Sequence, residues 1–116
     1  MRVYLTSPYQ ADTPEEIEQN VQYVLEVATM LIQAGYTVYV PHLMHYLDLH
    51  ANVLGVNISR ETWLRQGLEW LKQCDAILVL GMSPGVEKEI ELARSLNMPI
   101  HFDPRYLMPA NSLQSQ

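Results

Sequence analysis

Between Asp75 and Gly81 the chain runs Ala76-Ile77-Leu78-Val79-Leu80 without a polar residue. A strand with one wet face would alternate polar and apolar positions, so this uninterrupted run predicts a strand covered on both sides. Strands of that kind belong to parallel sheets with helices above and below. The remaining residues must then supply crossover helices and further strands in alternation.

They do so in order. Arg2 to Thr6 reads as a first strand, followed by the turn formers Ser7, Pro8, Asp12 and Thr13. Thr13 stands where a helix cap belongs, Pro14 at the first helical position, and Glu15 and Glu16 in the first turn. Ile17, Val21, Val24, Leu25, Ala28, Leu31 and Ile32 recur at steps of three and four. That spacing predicts a helix of about two dozen residues, stopped by Gly35. Tyr36 to Val40 is a second strand, ended by Pro41. His42 to Ile58 has no clear period and reads as a long, partly helical loop. Ser59 caps a helix containing Thr62, Trp63, Leu64, Leu68, Trp70 and Leu71, which leads into the apolar strand. After a turn at Gly81 to Gly85, Val86 to Asn97 is a helix and Pro99 to Phe102 a strand. The pattern predicts a three-layer, doubly wound α/β domain of the Rossmann or flavodoxin type, with a parallel sheet of four to five strands over residues 1–103. Residues 104–116, with Pro104, Pro109 and the polar stretch Asn111 to Gln116, are expected to be a mobile tail.

A chain of 116 residues suits one such domain. Its net charge of -6 argues against a nucleic-acid partner, which requires clustered Lys and Arg against the phosphates. Cys74 is the single cysteine. It cannot form an internal disulfide, it reads as an apolar filler beside the central strand, and no Cys/His cluster has zinc spacing. With no export signal, and no apolar run near the roughly 20 residues that span a bilayer, the expectation is a soluble, cytoplasmic protein without a membrane partner. No Gly-rich phosphate or dinucleotide motif follows the first strand, where Thr6-Ser7-Pro8 stands instead.

In doubly wound sheets ligands bind beyond the carboxyl ends of the strands. That directs attention to the loops Ser7 to Thr13, Pro41 to Ile58 and Gly81 to Gly85, and to the helix after the apolar strand. There Val86, Ile90, Leu92, Ala93 and Leu96 form an apolar arc, and Glu87, Lys88, Glu91, Arg94 and Ser95 fall opposite. Glu89 projects inside the apolar arc. A covered carboxylate is costly without a partner or a task. It either caps its helix or pairs with an arginine, or it belongs to a site. Ser83-Pro84-Gly85 would offer backbone N–H groups and a helix N-terminus to an anion. His42 and His45 lie three apart after the second strand and could face one pocket, but as a metal pair they lack a third ligand, and the favoured reading is surface or core histidines.

Three blocks, VYLTSPY, AGYTVYVPHLMHY and LEWLKQCDAILVLGMSPGVEKEIELARSLNMPI, resemble the nucleoside 2-deoxyribosyltransferase-like proteins, a family that includes nucleoside monophosphate N-glycosidases. The likeness spans nearly all of Arg2 to Phe102. It implies N-glycosidic bond cleavage or 2-deoxyribosyl transfer on a nucleoside or its 5′-monophosphate, with Glu89 as nucleophile and Tyr4 orienting it. By the same likeness Ser7, Pro8, Ser83 and Gly85 hold the sugar-phosphate end, and His42 and His45 border the base. No metal or organic cofactor is implied, and a homo-oligomer, dimer or larger, is. Many relatives carry an aspartate in the third helix that exchanges a proton with the base, and this chain has Gly67 there. Glu69, Asp48 or a histidine of the 42–50 segment would have to replace it. The alternative is a nucleotide-binding or sensing module that has lost turnover, and a third reading makes Glu89 an interface residue of an oligomeric scaffold.

Overall fold

The computed structural model describes residues 1–8 and 11–107. Its elements run β1 (Arg2–Thr6), α1 (Pro14–Gln33), β2 (Thr37–Tyr39), a 3-10 turn (Pro41–Leu43), α2 (Met44–Val53), α3 (Arg60–Leu71), β3 (Ala76–Val79), α4 (Pro84–Ser95), β4 (Ile100–His101) and a second 3-10 turn (Pro104–Leu107). The four strands are all parallel and lie in the order β2-β1-β3-β4. The three-layer, doubly wound architecture and a four-stranded sheet are therefore as the apolar run implies. Every residue of β3 is buried, because β1 and β4 flank it and helices cover both its faces.

Side-chain alternation along the two central strands sorts the core into two layers. Val3, Leu5 and Leu78 pack with Val24, Val27, Ala28 and Leu31 of α1. Tyr4, Ile77 and Val79 point the other way, onto Leu71 of α3 and onto Val86, Ile90 and Ala93 of α4. The chain passes from β1 to β2 on one side and crosses back to β3 on the other. The topological switch point thus lies between the carboxyl ends of β1 and β3, where a crevice opens.

Strands β2, β3 and β4 are one or two residues shorter than the sequence pattern suggests, and α4 ends at Ser95 and not Asn97. Three further differences each have a local reason. Helix α4 begins at Pro84 rather than Val86: Ser83 is its cap, accepting the Val86 N–H at 3.2 Å, and Pro84 fills the first turn, where no N–H is needed. The 42–58 stretch holds a full helix, α2, and not only loop. Its period is weak because Ala51 is the one buried residue of that helix, while Leu47, Leu49 and Val53 are exposed. The tail expected from residue 104 onward starts as a turn whose Leu107, 6% exposed, is inserted into the α1-side core. A single apolar residue in a Pro- and Arg-containing segment leaves no period to read. Pro109 and Asn111 to Gln116 lie outside the described residues. Leu107→Ala is expected to cost about 2–5 kcal/mol, as other buried Leu→Ala changes do. Urea denaturation measures it, and an unchanged midpoint would mean that Leu107 is not part of the core. Among the described residues no helix is long and apolar enough to cross a membrane.

Candidate active site

The crevice at the switch point is a cavity of about 430 Å³ bordered by β1, β2, α2, α3 and α4. Its floor is Glu89, in the second turn of α4 and only 7% exposed. Tyr4 and Thr6 stand two apart on β1, so both face the α4 side of the sheet. The Tyr4 hydroxyl donates to Glu89 Oε2 in a short hydrogen bond. The Thr6 hydroxyl donates to Oε1 at 2.8 Å. Two hydroxyls from one strand therefore grip both oxygens and fix the plane of the carboxylate. The helix N-terminus is capped by Ser83 instead, and no ion pair among the described residues involves Glu89.

Burial pushes the Glu89 carboxyl above the ordinary glutamate range, and the Tyr4 and Thr6 hydrogen bonds pull it part of the way back. The Tyr4 phenol is held far above its usual value, first by burial and then by the neighbouring carboxylate. The shared proton thus stays on Tyr4, which acts as a donor throughout the physiological range. Its ring is fully buried and stacks on Tyr39 at 5.5 Å between centroids, and Tyr39 stacks in turn on Trp70 at 5.3 Å. The hydroxyl has little freedom to move.

Gly67 on α3 completes this arrangement. A Cβ at that position would lie 2.6 Å from Tyr4 Oη, well inside van der Waals contact, and 3.9 Å from Glu89 Oε2. The helix comes this close because residue 67 has no side chain. Gly81 does the same for the first loop, since a Cβ there would lie 2.7 Å from Pro8 Cδ. That close approach carries Ser7 and Pro8 across the end of β3 to the cavity edge.

Every expected site residue lines the one cavity: Glu89, Tyr4, Ser7, Pro8, His42, His45, Ser83 and Gly85. Their geometry separates their roles. His42 is buried, its Nε2 lies 3.4 Å from the Pro8 carbonyl oxygen, and burial lowers its pKa, so it is a neutral ring bracing the first loop. His45 turns Nε2 toward Glu18 of α1 at 3.5 Å. No group of three or more His, Cys, Asp or Glu among the described residues is arranged to hold a metal ion. Cys74 is half-buried, donates to the Trp70 carbonyl at 3.6 Å, and has its thiol pKa raised by burial, opposite to what a nucleophile requires.

Of the residues that would replace the missing aspartate, Glu69 lies outside the cavity, on the exposed face of α3, paired with Lys72 at 3.0 Å. Asp48 does line it, and its Oδ1 accepts the Trp63 indole N–H at 3.1 Å. Sequence reasoning overlooked Thr6, Trp63 and Arg60, all cavity residues. Thr6 was legible: a polar residue at the carboxyl end of a strand, two places from Tyr4, must share its face. Nothing in the spacing points to Trp63 or Arg60, which meet the site only because α2 and α3 fold over it.

The profile of a protein family described as a domain of unknown function, DUF7768, matches residues 1–103. The chain belongs to this family. No curated protein matches it. The DUF7768 region contains every residue of the site described above, from Tyr4 to Glu89.

The grip on the carboxylate can be tested directly. Tyr4→Phe removes a donor from a buried carboxylate and is expected to raise the Glu89 pKa further, because the Tyr4 hydrogen bond is the larger of the two lowering it. It should also cost about 1–3 kcal/mol of stability at neutral pH. Carboxyl NMR titration reads the first effect and thermal unfolding the second. An unshifted carboxyl titration would mean that the hydrogen bond does not form in solution.

Proposed function

We propose that this protein cleaves or transfers an N-glycosidic bond of a nucleoside or nucleoside 5′-monophosphate, with Glu89 as the nucleophile. The observation that carries the reading is a single buried carboxylate lining a switch-point cavity and held by the Tyr4 and Thr6 hydroxyls. A carboxylate so fixed suits attack on the anomeric carbon, in the manner of retaining glycosidases. As the C1′–O bond to Glu89 forms, the C1′–N bond breaks and its electron pair leaves with the base. Water or a second base then attacks C1′ from the opposite side, the ester C–O bond breaks and restores the carboxylate, and the proton lost by the attacking group passes to the departed base anion. Tyr4 and Thr6 orient the reacting oxygens and stabilise their charge.

At the other end of the cavity Ser83 accepts the Val86 N–H, which leaves its own proton to donate to a phosphate beside the Gly85 N–H and the positive end of α4. Ser7 and Pro8 border that end, and the sequence resemblance supports the same division. The proposal extends to a cytoplasmic location and to a homo-oligomer of two or more copies. Exposed Leu47, Val53, Leu54 and Val56 suit the latter, and sedimentation analysis measures it.

Gly67 favours a second reading, a module that binds a nucleotide without turning it over, because it leaves α3 without an acid among the cavity-lining residues. Incubation with ribo- and deoxyribonucleosides and their 5′-monophosphates, followed by chromatography for free base, separates the two. Release by the wild type and not by Glu89→Ala supports catalysis. Equal release by both, or none, overturns it, and thermal stabilisation without release supports the binding module.

A further inference from the structure

We infer that the site is built for N-glycosides whose base is already cationic, such as pyridinium or N7-alkylated purine nucleotides. This substrate class rests on the glycosyl-transfer reading and narrows it. A neutral base leaves as an anion unless an acid protonates it, whereas a cationic base leaves as a neutral molecule.

The place for an acid on α3 is closed. Any side chain at residue 67 begins with a Cβ 2.6 Å from Tyr4 Oη, and the buried, stacked Tyr4 ring cannot retreat without releasing Glu89. The other titratable groups of the described lining are occupied otherwise. Tyr4 keeps its proton and donates it in the hydrogen bond to Glu89. His42 is braced against Pro8, and His45 turns Nε2 to Glu18. Asp48 accepts the Trp63 N–H. Tyr39 is stacked between Tyr4 and Trp70, and burial raises its phenol pKa and makes it a poorer acid. Arg60 is a permanent cation and no acid.

What the lining does offer suits a positive ring. The lining carries two carboxylates, Glu89 and Asp48, to one guanidinium, Arg60, and the aromatic side chain of Trp63 lines the same cavity. Carboxylates and aromatic faces both attract a delocalised cation. In the reaction the C1′–N bond breaks and its electron pair quenches the charge on the ring nitrogen, while Glu89 forms its ester with C1′. Water then attacks C1′, the ester C–O bond breaks, and one proton passes to solvent. The sum is cationic nucleotide plus water giving neutral base, sugar phosphate and a proton.

The test uses the full chain and matched pairs. These are 7-methylguanosine 5′-monophosphate against guanosine 5′-monophosphate, each in ribo and 2′-deoxyribo forms, with nicotinamide mononucleotide as the pyridinium probe. Uncatalysed loss is subtracted and Glu89→Gln serves as control. General acids commonly contribute a hundredfold or more, so kcat/KM should be at least about a hundredfold higher for the cationic partner. That preference, lost in Glu89→Gln, supports the inference. Similar release from both partners, or release from the neutral one alone, overturns it and leaves the glycosyl-transfer reading standing; loss of that release in His45→Gln would locate the acid. Release from none of the probes, with the broader nucleoside panel still active, overturns the inference alone. Silence on both panels overturns both.

Discussion

Glu89→Gln is expected, under the glycosyl transfer proposed above, to lower base release by about a thousandfold or more, as the loss of a covalent nucleophile does, and at the same time to raise the melting temperature at neutral pH. The two effects have one cause. Burial holds the folded-state pKa of Glu89 above that of an unfolded chain. The stability associated with the protonated group is fully present below the ordinary glutamate range and is lost as pH rises through the raised folded value. At neutral pH the wild type therefore carries a buried charge that the isosteric amide does not, and the gap between the two proteins should close as pH falls toward 4. The same direction sets the activity profile. The proposed attack needs the ionised carboxylate, so the acid limb of kcat/KM should lie above the usual carboxylate range. A variant that is inactive and also less stable at neutral pH would assign Glu89 a structural role instead. Thermal unfolding across pH and a base-release assay together decide the matter.

Gly67→Asp, which places in α3 the aspartate that many nucleoside 2-deoxyribosyltransferase-like proteins carry, is expected to damage the protein rather than improve it. Its Cβ collides with Tyr4 Oη, and a second carboxylate enters beside Glu89 in a closed space. Overpacking of this kind costs about 1–3 kcal/mol, and an unpaired buried charge adds to it. Gly67→Ala isolates the steric part. Alanine gains about 1 kcal/mol over glycine from helix propensity alone, so a net loss of up to about 2 kcal/mol measures the collision against that gain. Base release should fall in both variants as Tyr4 is displaced, and in Gly67→Ala the carboxyl titration of Glu89 should move upward as well. Unchanged stability and activity in Gly67→Asp would mean that α3 yields easily and that the close approach is not required.

The parallel doubly wound sheet was readable from a few residues. Ala76 to Leu80 left no wet face, Thr13-Pro14 and Ser59 marked helix starts, and Gly35 adopts the positive φ of a helix stop. These are signals carried by one segment at a time. Glu89 was legible for the same reason, since a carboxylate inside an apolar arc is visible from helical periodicity alone. Helix α2 and the Leu107 anchor were not, because each buries too few side chains to imprint a period.

The sequence by itself determined the layers, the strand direction and the one carboxylate out of pattern, because periodicity and capping act between near neighbours. Only the tertiary structure decided what that carboxylate meets. Tyr4 and Thr6 lie more than 80 residues from Glu89 along the chain, and Gly67 matters solely because its helix passes within van der Waals reach of the Tyr4 hydroxyl. Contacts of that kind depend on how crossovers stack on the sheet, and no local pattern records them. Gly67, which in the sequence reads as a lost acid, is in the fold the space that lets Tyr4 hold Glu89.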